Sequence, residues 1–220
     1  MIPIAKPFIG NEEINAVASV LKSGMIAQGQ KVSILENQFA QLCGTEYSIA
    51  VNSGTAALHT ALNAVGVSHN DEVITSPFTF ISTANTILMQ GAVPVFADVE
   101  EDTFNIDPNE ITQKITGKTK AILTVDLYGH LCDYDKINGI AGKNNLVVVE
   151  DACQSVNAER KQKKAGSFAG IAAFSFYATK NITCGEGGML ATGSKNYAEN
   201  ARLFRQHGRY DMDQYEYASL

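Results

Sequence analysis

Two segments of the chain decide the fold: Val-Val-Val-Glu-Asp-Ala-Cys-Gln-Ser at residues 147–155, and Phe-Ser-Phe-Tyr-Ala-Thr-Lys-Asn-Ile-Thr-Cys-Gly-Glu-Gly-Gly-Met-Leu at residues 174–190. The first predicts a strand that is buried on both faces and ends in an acid. The second places Lys180 between a hydroxyl-rich turn and a glycine-rich turn. Taken alone, Asp151 is also compatible with a helix cap, and Lys180 with a solvated surface lysine.

Short apolar runs of the same kind alternate with helical stretches from residue 47 onward. The predicted strands are 48–51, 72–75, 93–97, 121–125, 146–149 and 189–192, and the predicted helices are 56–65, 82–89, 111–115, 134–141 and 195–206. The helix at 111–115 is expected to open with Asp107 as N-cap, Pro108 at the first helical position and Glu110 at the third. Runs that are apolar throughout predict an α/β fold, with a mostly parallel, mixed sheet sandwiched by helices. Ligands bind such sheets at the carboxyl ends of the strands.

Two further helices precede the sheet. Asn11 is expected to cap the first helix, which has a periodic apolar face and ends at Gly24, and the second ends at Gly44. We expect residues 1–25 to form an N-terminal segment with its helix, and residues 26–208 to form one large domain.

A turn of small residues follows the first strand and runs straight into a helix. Backbone amides at a helix N-terminus attract anions, so Ser53, Gly54 and Thr55 are candidate phosphate-binding residues, with an ordinary capped helix start as the alternative. Phe80 follows the second strand. Its ring suits stacking on a flat heteroaromatic ring, with a place in the core as the alternative.

The acid and the lysine complete a pattern that is typical of a pyridoxal 5′-phosphate site. A carboxylate beside a pyridine nitrogen favours the protonated ring, and a lysine that loses its charge can attack the coenzyme aldehyde. Gln154 is near enough to Asp151 to reach the phenolic oxygen of the ring. Ser175, five residues before Lys180, is placed to reach the phosphate. We therefore predict that Asp151 and Lys180 hold the coenzyme.

Composition excludes several other classes of protein. With 45% hydrophobic and 18% charged residues among 220, the chain can bury a substantial core. Its net charge of −6, without clustered basic residues, makes nucleic acid an unsuitable partner. We expect no membrane span and a cytoplasmic location, because no signal-peptide pattern or long apolar run is present. Four scattered cysteines indicate reduced, mostly buried thiols, with no metal site or disulfide framework.

Together these motifs resemble the DegT/DnrJ/EryC1/StrS family of sugar aminotransferases, within the fold-type-I, aspartate-aminotransferase-like superfamily. The resemblance runs in order along essentially the whole chain. It rests on Ile2-Pro3, Lys6-Pro7, Ser23-Gly24, Gly29, Leu35-Glu36, residues 52–58, Thr79-Phe80, residues 91–99, Tyr128-Gly129, residues 150–154, Ser175-Phe176, Lys180-Asn181 and residues 185–188.

The resemblance implies transfer of an amino group, usually from glutamate, to a keto sugar attached to a nucleoside diphosphate, by a homodimer. It implies that Lys180 binds the coenzyme and moves a proton between coenzyme and sugar, and that Phe80 lies against the ring. Relatives that dehydrate sugars carry histidine in place of this lysine. Three positions depart from the family pattern: Asp126, where histidine is common, Cys153, where alanine is usual, and Asn157, where glycine is frequent.

Family members continue through a Gly-x-Asn-x-Arg segment into a small C-terminal domain. We expect residues 209–220 to begin the connection to that domain, which this chain lacks. Two alternatives to a sugar aminotransferase stay open. One is a catalytically incomplete coenzyme-binding or regulatory chain, and the other is different fold-type-I chemistry, such as that of an aldolase or desulfurase.

Overall fold

The structure is a computed structural model that describes residues 2–209. The predicted connection at residues 209–220 therefore lies, except for its first residue, outside the described part. The strands are β1 (Tyr47–Val51), β2 (Glu72–Thr75), β3 (Val93–Phe96), β4 (Thr119–Val125), β5 (Val147–Asp151), β6 (Glu159–Arg160), β7 (Lys163–Lys164), β8 (Ile171–Ser175) and β9 (Gly188–Thr192). The helices are α1 (Asn11–Ser23), α2 (Gln30–Cys43), α3 (Gly54–Ala64), α4 (Ser82–Met89), α5 (Pro108–Lys114), α6 (Tyr134–Lys143) and α7 (Lys195–Arg205).

Seven strands form one mixed sheet in the order β1-β9-β8-β5-β4-β2-β3. The pairs from β3 to β8 are parallel, whereas β9 runs antiparallel to both β8 and β1. This confirms the predicted mostly parallel, mixed sheet. The two short strands β6 and β7 form a separate hairpin.

Helices cover both faces of the sheet. Buried side chains of α2, α5 and α6, among them Phe39, Ile111 and Ile137, pack on one face. Those of α3, α4 and α7 pack on the other, where Leu58 and Ile87 are fully enclosed. Because neighbouring residues of a strand point to opposite faces, β4 supplies Ile122 to the first core and Leu123 to the second.

Strand β8 was not predicted from the sequence. All five of its residues are buried in the middle of the sheet. Its sequence, Ile-Ala-Ala-Phe-Ser, has two alanines, which have a low β propensity and favour a helix over a strand. The position of β8 between β5 and β9 matters for function, because it brings its end at Ser175 beside the end of β5 at Asp151.

The predicted cap of the first helix was wrong by one residue. The N-cap is Gly10, whose N–H donates to the Glu13 carboxylate at 2.7 Å. Glu13 is the third residue of the helix, and its carboxylate accepts the free backbone N–H of Gly10. The first helical residue of α1 is therefore Asn11. The apolar face of α1 is not covered by the described residues, since Ile14, Val17 and Leu21 are all more than half exposed.

Other predicted helix ends are confirmed. Gly24 and Gly44 close α1 and α2 in the left-handed conformation. The side chain of Asp107 accepts the N–H of Asn109 at the start of α5, with Pro108 at the first helical position. None of the helices within residues 2–209 is long and apolar enough to cross a membrane.

Candidate active site

All eight predicted site residues line one cavity of about 370 Å³ at the carboxyl ends of the parallel strands. They are Ser53, Gly54, Thr55, Phe80, Asp151, Gln154, Ser175 and Lys180. A cavity of this size is within the range of small-molecule sites. The fold therefore brings together side chains that are up to 127 positions apart in the sequence, from Ser53 to Lys180.

The N-terminus of α3 forms one wall of the cavity. Ser53 is its N-cap, and the Ser53 hydroxyl accepts the N–H of Ala56 at 3.0 Å. The N–H groups of Gly54 and Thr55, in the first turn of α3, have no acceptor within the helix. They lie at the positive end of the helix dipole, which faces the cavity. This part of the cavity is therefore a suitable environment for an anion.

Close packing explains why positions 54 and 188 are both glycine. A Cβ on Gly54 would lie 2.7 Å from Cβ of Ser175 and 3.1 Å from Sγ of Cys153. A Cβ on Gly188, at the start of β9, would lie 2.2 Å from the carbonyl oxygen of Ser53. The lack of a side chain at Gly188 therefore lets the two backbone segments pass this close to each other.

Asp151 ends β5 and points into the cavity from the buried side. Its Oδ2 accepts the Thr83 hydroxyl at 2.9 Å, and its Oδ1 accepts the Cys153 N–H at 3.2 Å. Burial raises the pKa of the Asp151 carboxyl, although these two hydrogen bonds and the Lys180 ammonium act to lower it. Asp151 caps no helix, because β5 is followed by a turn.

Lys180 lies on a loop that is tied back to the end of β8. The Phe176 carbonyl accepts both the Thr183 hydroxyl, at 3.0 Å, and the Cys184 N–H, at 3.1 Å. The Lys180 N–H itself donates to the Tyr177 carbonyl at 2.9 Å. Lys180 is half-buried and lines the cavity, so the interpretation as a fully solvated lysine does not fit.

Gln154 and Phe80 border the same cavity. The Gln154 Oε1 accepts the N–H of Tyr128 at 3.0 Å, which leaves its Nε2 group as the donor for a ligand. Phe80 is 67% exposed at the rim, so a place in the core is excluded for this ring. The neighbouring Phe78 ring packs against Phe104 instead, with 5.7 Å between their centroids.

Several residues that line the cavity were not predicted as site residues from the sequence. Thr83, Ser82 and Thr79 come from the segment that opens α4, and Tyr177 and Glu186 flank the lysine loop. Ser82 contacts the predicted site residue Thr55. Thr83 contacts the predicted site residue Asp151 directly, through a hydrogen bond. Its only sequence signal is a hydroxyl one turn after Thr79, a pattern that is too common to single it out.

Two of the three departures from the family pattern lie at or near the site. Cys153 lines the cavity, and burial raises its thiol pKa well above the ordinary value. Asp126 is fully buried behind the cavity, where its Oδ1 accepts the Tyr134 hydroxyl at 2.9 Å and the Cys132 N–H at 3.0 Å. Burial raises the pKa of Asp126 to about 6, beside the equally buried Glu150.

A larger cavity of about 580 Å³ lies on the other side of the start of α3. Its charged group is Arg205, which is already paired with Glu36 at 2.5 Å and with the Ala50 carbonyl at 3.0 Å. Since it has no lysine opposed to an acid, we assign the chemistry to the smaller cavity.

The cysteines are all free. Cys43 and Cys132 are buried, Cys153 is partly buried and Cys184 is exposed, so the expectation of mostly buried thiols holds for only two of the four. Within residues 2–209 no cluster of three or more histidine, cysteine or acidic side chains is arranged to hold a metal ion.

The sheet order and the cavity at its carboxyl edge define a class of protein, the aspartate-aminotransferase-like enzymes that use pyridoxal 5′-phosphate. Comparison with known proteins agrees. The chain belongs to the DegT/DnrJ/EryC1/StrS aminotransferase family, whose model matches residues 7–220.

Individual relatives are similar along nearly the whole chain. The spore coat polysaccharide biosynthesis protein SpsC of Bacillus subtilis is 48% identical over 207 residues, which are 94% of this chain and 53% of SpsC. An aminotransferase from Psychrobacter cryohalolentis, solved by X-ray crystallography, superposes with a TM-score of 0.90 at 39% identity, covering 93% of this chain and 53% of that one. Helicobacter pylori PseC, an aminotransferase involved in the biosynthesis of pseudoaminic acid, superposes with a TM-score of 0.92 at 32% identity, covering 99% and 60%. The chain thus spans about half the length of these relatives.

The residues around the smaller cavity fit pyridoxal 5′-phosphate by the chemistry of their donors. Helix amides and the Ser175 hydroxyl suit its phosphate, the buried Asp151 carboxyl suits its ring nitrogen, and the amine of Lys180 suits its aldehyde. The close approach of Gly54 to Ser175 keeps the start of α3 and the end of β8 side by side.

Proposed function

We propose that this chain binds pyridoxal 5′-phosphate and transfers an amino group from an amino acid, with glutamate as the expected donor, to a nucleotide-linked keto sugar. The observation that carries the proposal is that Lys180 and Asp151 line one cavity together with the N-terminus of α3. Membership of an aminotransferase family supports the same conclusion. The product class is amino sugars, such as those used in surface polysaccharides.

The phosphate end of the proposed site is formed by the N–H groups of Gly54 and Thr55 with the hydroxyl of Ser175. The Thr55 hydroxyl is held by Ser82, with 2.9 Å between the oxygens, which fixes the start of α3 against the start of α4. A phosphate bound there would be neutralised by the helix dipole and by direct hydrogen bonds. Ser53 contributes indirectly, because its hydroxyl caps the helix.

The ring end of the proposed site is formed by Asp151, Gln154 and Phe80. The Asp151 carboxylate would hold the ring nitrogen in its charged form, since an opposite charge at close range favours protonation. Gln154 Nε2 would donate to the phenolic oxygen, and the Phe80 ring would cover one face. When bound, the coenzyme supplies an electron sink that accepts the electron pair of a broken carbon–hydrogen bond.

Lys180 has two proposed roles. Its neutral amine would attach the coenzyme through the aldehyde, which requires that the ammonium first lose a proton. Once displaced by the amino donor, the same amine would carry a proton between coenzyme and substrate, as a general acid and base held by the loop. Attraction between the Lys180 ammonium and the Asp151 carboxylate holds the amine at the cavity, which Tyr177 and Thr179 also line.

A sugar substrate is favoured over other amino acceptors by the relatives. SpsC takes part in spore coat polysaccharide biosynthesis, and PseC in the biosynthesis of pseudoaminic acid. We propose a cytoplasmic location, because four free thiols suit a reducing compartment.

We further propose that the active form is a homodimer with the site at the interface. Aromatic and aliphatic side chains on the segments around the cavity are exposed: Phe78, Phe80, Phe104, Tyr128, Tyr177 and Ile182. Exposed apolar surface of this extent is typical of an interaction site, and a second copy of the chain is the expected partner. Light scattering during size-exclusion chromatography tests this, because a monomer at micromolar concentration would contradict it.

The test of function is an amino-transfer assay with the purified chain. ¹⁵N-labelled glutamate is incubated with coenzyme and a panel of nucleotide-linked keto sugars, and mass spectrometry follows the label. We expect the label in one sugar product and an equivalent amount of 2-oxoglutarate. Lys180→Ala, which removes the amine together with the aliphatic chain that carries it, serves as the control that must abolish transfer.

Other outcomes identify the alternatives. A chain that binds the coenzyme but transfers no label to any sugar would be a catalytically incomplete binding or regulatory protein. Cleavage of a carbon–carbon or carbon–sulfur bond without transfer would indicate aldolase or desulfurase chemistry. Either result would contradict the proposed amino transfer.

A further inference from the structure

We propose that Thr83 is a positioning residue, which holds the Asp151 carboxylate in the orientation that receives the ring nitrogen of the coenzyme. The inference rests on the proposed function, since it names a group that acts on the coenzyme through Asp151. Thr83 lies in the first turn of α4 and is 68 residues from Asp151 in the sequence. It is 1% exposed, so its hydroxyl has no access to bulk water.

The contact fixes both oxygens of the carboxylate. Thr83 Oγ1 donates to Oδ2 at 2.9 Å, and the Cys153 N–H donates to Oδ1 at 3.2 Å. With one donor on each oxygen, rotation of the carboxylate about its bond to Cβ would break both hydrogen bonds. Each oxygen keeps a second lone pair, which is where a ring N–H can be received.

The direction of the hydrogen bonds follows from the donor count. An ionised carboxylate only accepts, so Thr83 must spend its single hydroxyl proton on Asp151. Thr79 Oγ1, at 2.8 Å from Thr83 Oγ1, must then be the donor in that pair. The result is a polarised chain from Thr79 through Thr83 to Asp151, in which each bond strengthens the next.

These hydrogen bonds oppose the free-energy cost of burying the Asp151 carboxylate. The groups that face Asp151 are the Thr83 hydroxyl from α4, the thiol and N–H of Cys153 from its own turn, and the ammonium of Lys180. Burial raises the Asp151 pKa, and the Thr83 hydrogen bond is one of the contributions that lower it. Without that hydroxyl the Asp151 pKa would rise further toward the neutral acid, and a neutral acid does not stabilise a charged ring nitrogen.

Three substitutions separate positioning from simple packing. Thr83→Val keeps the shape and removes the hydroxyl, while Thr83→Ser keeps the hydroxyl and removes a methyl group. Thr86→Val, in the same helix, removes an equally buried hydroxyl that bonds only to the Thr83 carbonyl at 3.2 Å. Circular dichroism and thermal unfolding check that each variant folds. Should Thr83→Val not fold, Thr83→Ala takes its place against Thr83→Ser.

Two measurements are made on each protein. The first is the Kd for pyridoxal 5′-phosphate by absorbance titration, and the second is the pKa of the Asp151 carboxyl in the coenzyme-free protein by ¹³C NMR. We expect Thr83→Val to weaken coenzyme binding about ten- to hundredfold, the effect of one hydrogen bond to a buried charge. We also expect it to raise the Asp151 pKa, whereas Thr83→Ser and Thr86→Val should resemble the wild type.

A Thr83→Val protein with wild-type Kd and wild-type Asp151 pKa would overturn the positioning role and leave the proposed function standing. A loss of affinity shared equally by Thr86→Val would also overturn it, because packing alone would then explain the loss. If the wild type binds no coenzyme, the proposed function fails together with this role.

Discussion

Gly54 and Ser175 are so close that a Cβ on the glycine would lie 2.7 Å from the serine Cβ. This contact joins the start of α3 to the end of β8, the two elements that we propose to share one phosphate. Since real Cβ atoms do not approach so closely, any larger residue at position 54 must push the helix from the strand.

Gly54→Ala is therefore expected to lower both stability and coenzyme affinity. Forcing one methyl group into a packed contact costs about 1–3 kcal/mol, which urea unfolding would measure. The Kd for the coenzyme should rise about tenfold or more, because the helix amides would no longer align with Ser175. Gly139→Ala is the matched control. A Cβ there meets nothing within 4 Å on the exposed face of α6, so it should leave the Kd unchanged and add about 0.5–1 kcal/mol of stability.

Asp126→Asn tests the buried acid behind the site. The pKa of Asp126 is raised from 3.8 to about 6 in the folded chain, so folding favours the neutral carboxyl more than the unfolded chain does. Below pH 4 this contribution to stability is fully present, and it is lost as the pH rises through 6. The lost stability is on the order of 2–3 kcal/mol for a shift of this size. Asparagine remains neutral at every pH, so the variant should not lose this stability as the pH rises.

We expect urea unfolding to show the stability of the wild type falling relative to Asp126→Asn between pH 4 and pH 7. Asp102→Asn, which removes a charge from an exposed position, should run parallel to the wild type over the same range. Parallel curves for the wild type and Asp126→Asn would mean that burial does not control this carboxyl.

Cys153 provides a test of coenzyme position that needs no substitution. Its thiol lines the cavity, so a bound coenzyme should block small alkylating reagents such as iodoacetamide. Because burial raises the thiol pKa, labelling without coenzyme should be slow near pH 7 and faster at alkaline pH. Peptide mass spectrometry with and without pyridoxal 5′-phosphate would measure this protection.

The other cysteines serve as internal controls in that experiment. Cys184 is exposed and should react in both samples, whereas Cys43 and Cys132 are buried and should react in neither. Equal labelling of Cys153 with and without bound coenzyme would show that the coenzyme lies elsewhere.

Sequence reasoning predicted the elements whose signal is local. The runs at β2 and α4 were predicted at their observed bounds, and the Asp107-Pro108 start of α5 was predicted from capping chemistry alone. These signals depend on neighbouring residues, so they are readable without the fold. The strand β8 has no such signal, because its alanines acquire their strand conformation from pairing with β5 and β9.

The same distinction applies to the site. Ser53 caps a helix, Asp151 ends a strand, and Lys180 lies on a loop between a hydroxyl-rich and a glycine-rich turn. These positions along the chain already indicate function. Thr83 becomes important only because the first turn of α4 reaches the end of β5, a long-range contact that no local pattern encodes. Likewise, the exposure of Phe80 decides between stacking and core packing, and exposure cannot be read from one aromatic residue in a turn.

The most direct test of the central claim is reduction of the coenzyme-loaded protein with borohydride, followed by peptide mass spectrometry. We predict a visible absorption band that disappears on reduction, with the coenzyme mass attached to the peptide that contains Lys180. Lys180→Arg keeps the charge and should show neither the band nor the modified peptide. A wild-type protein that stays colourless with added coenzyme, or carries the modification on another lysine, would contradict the account.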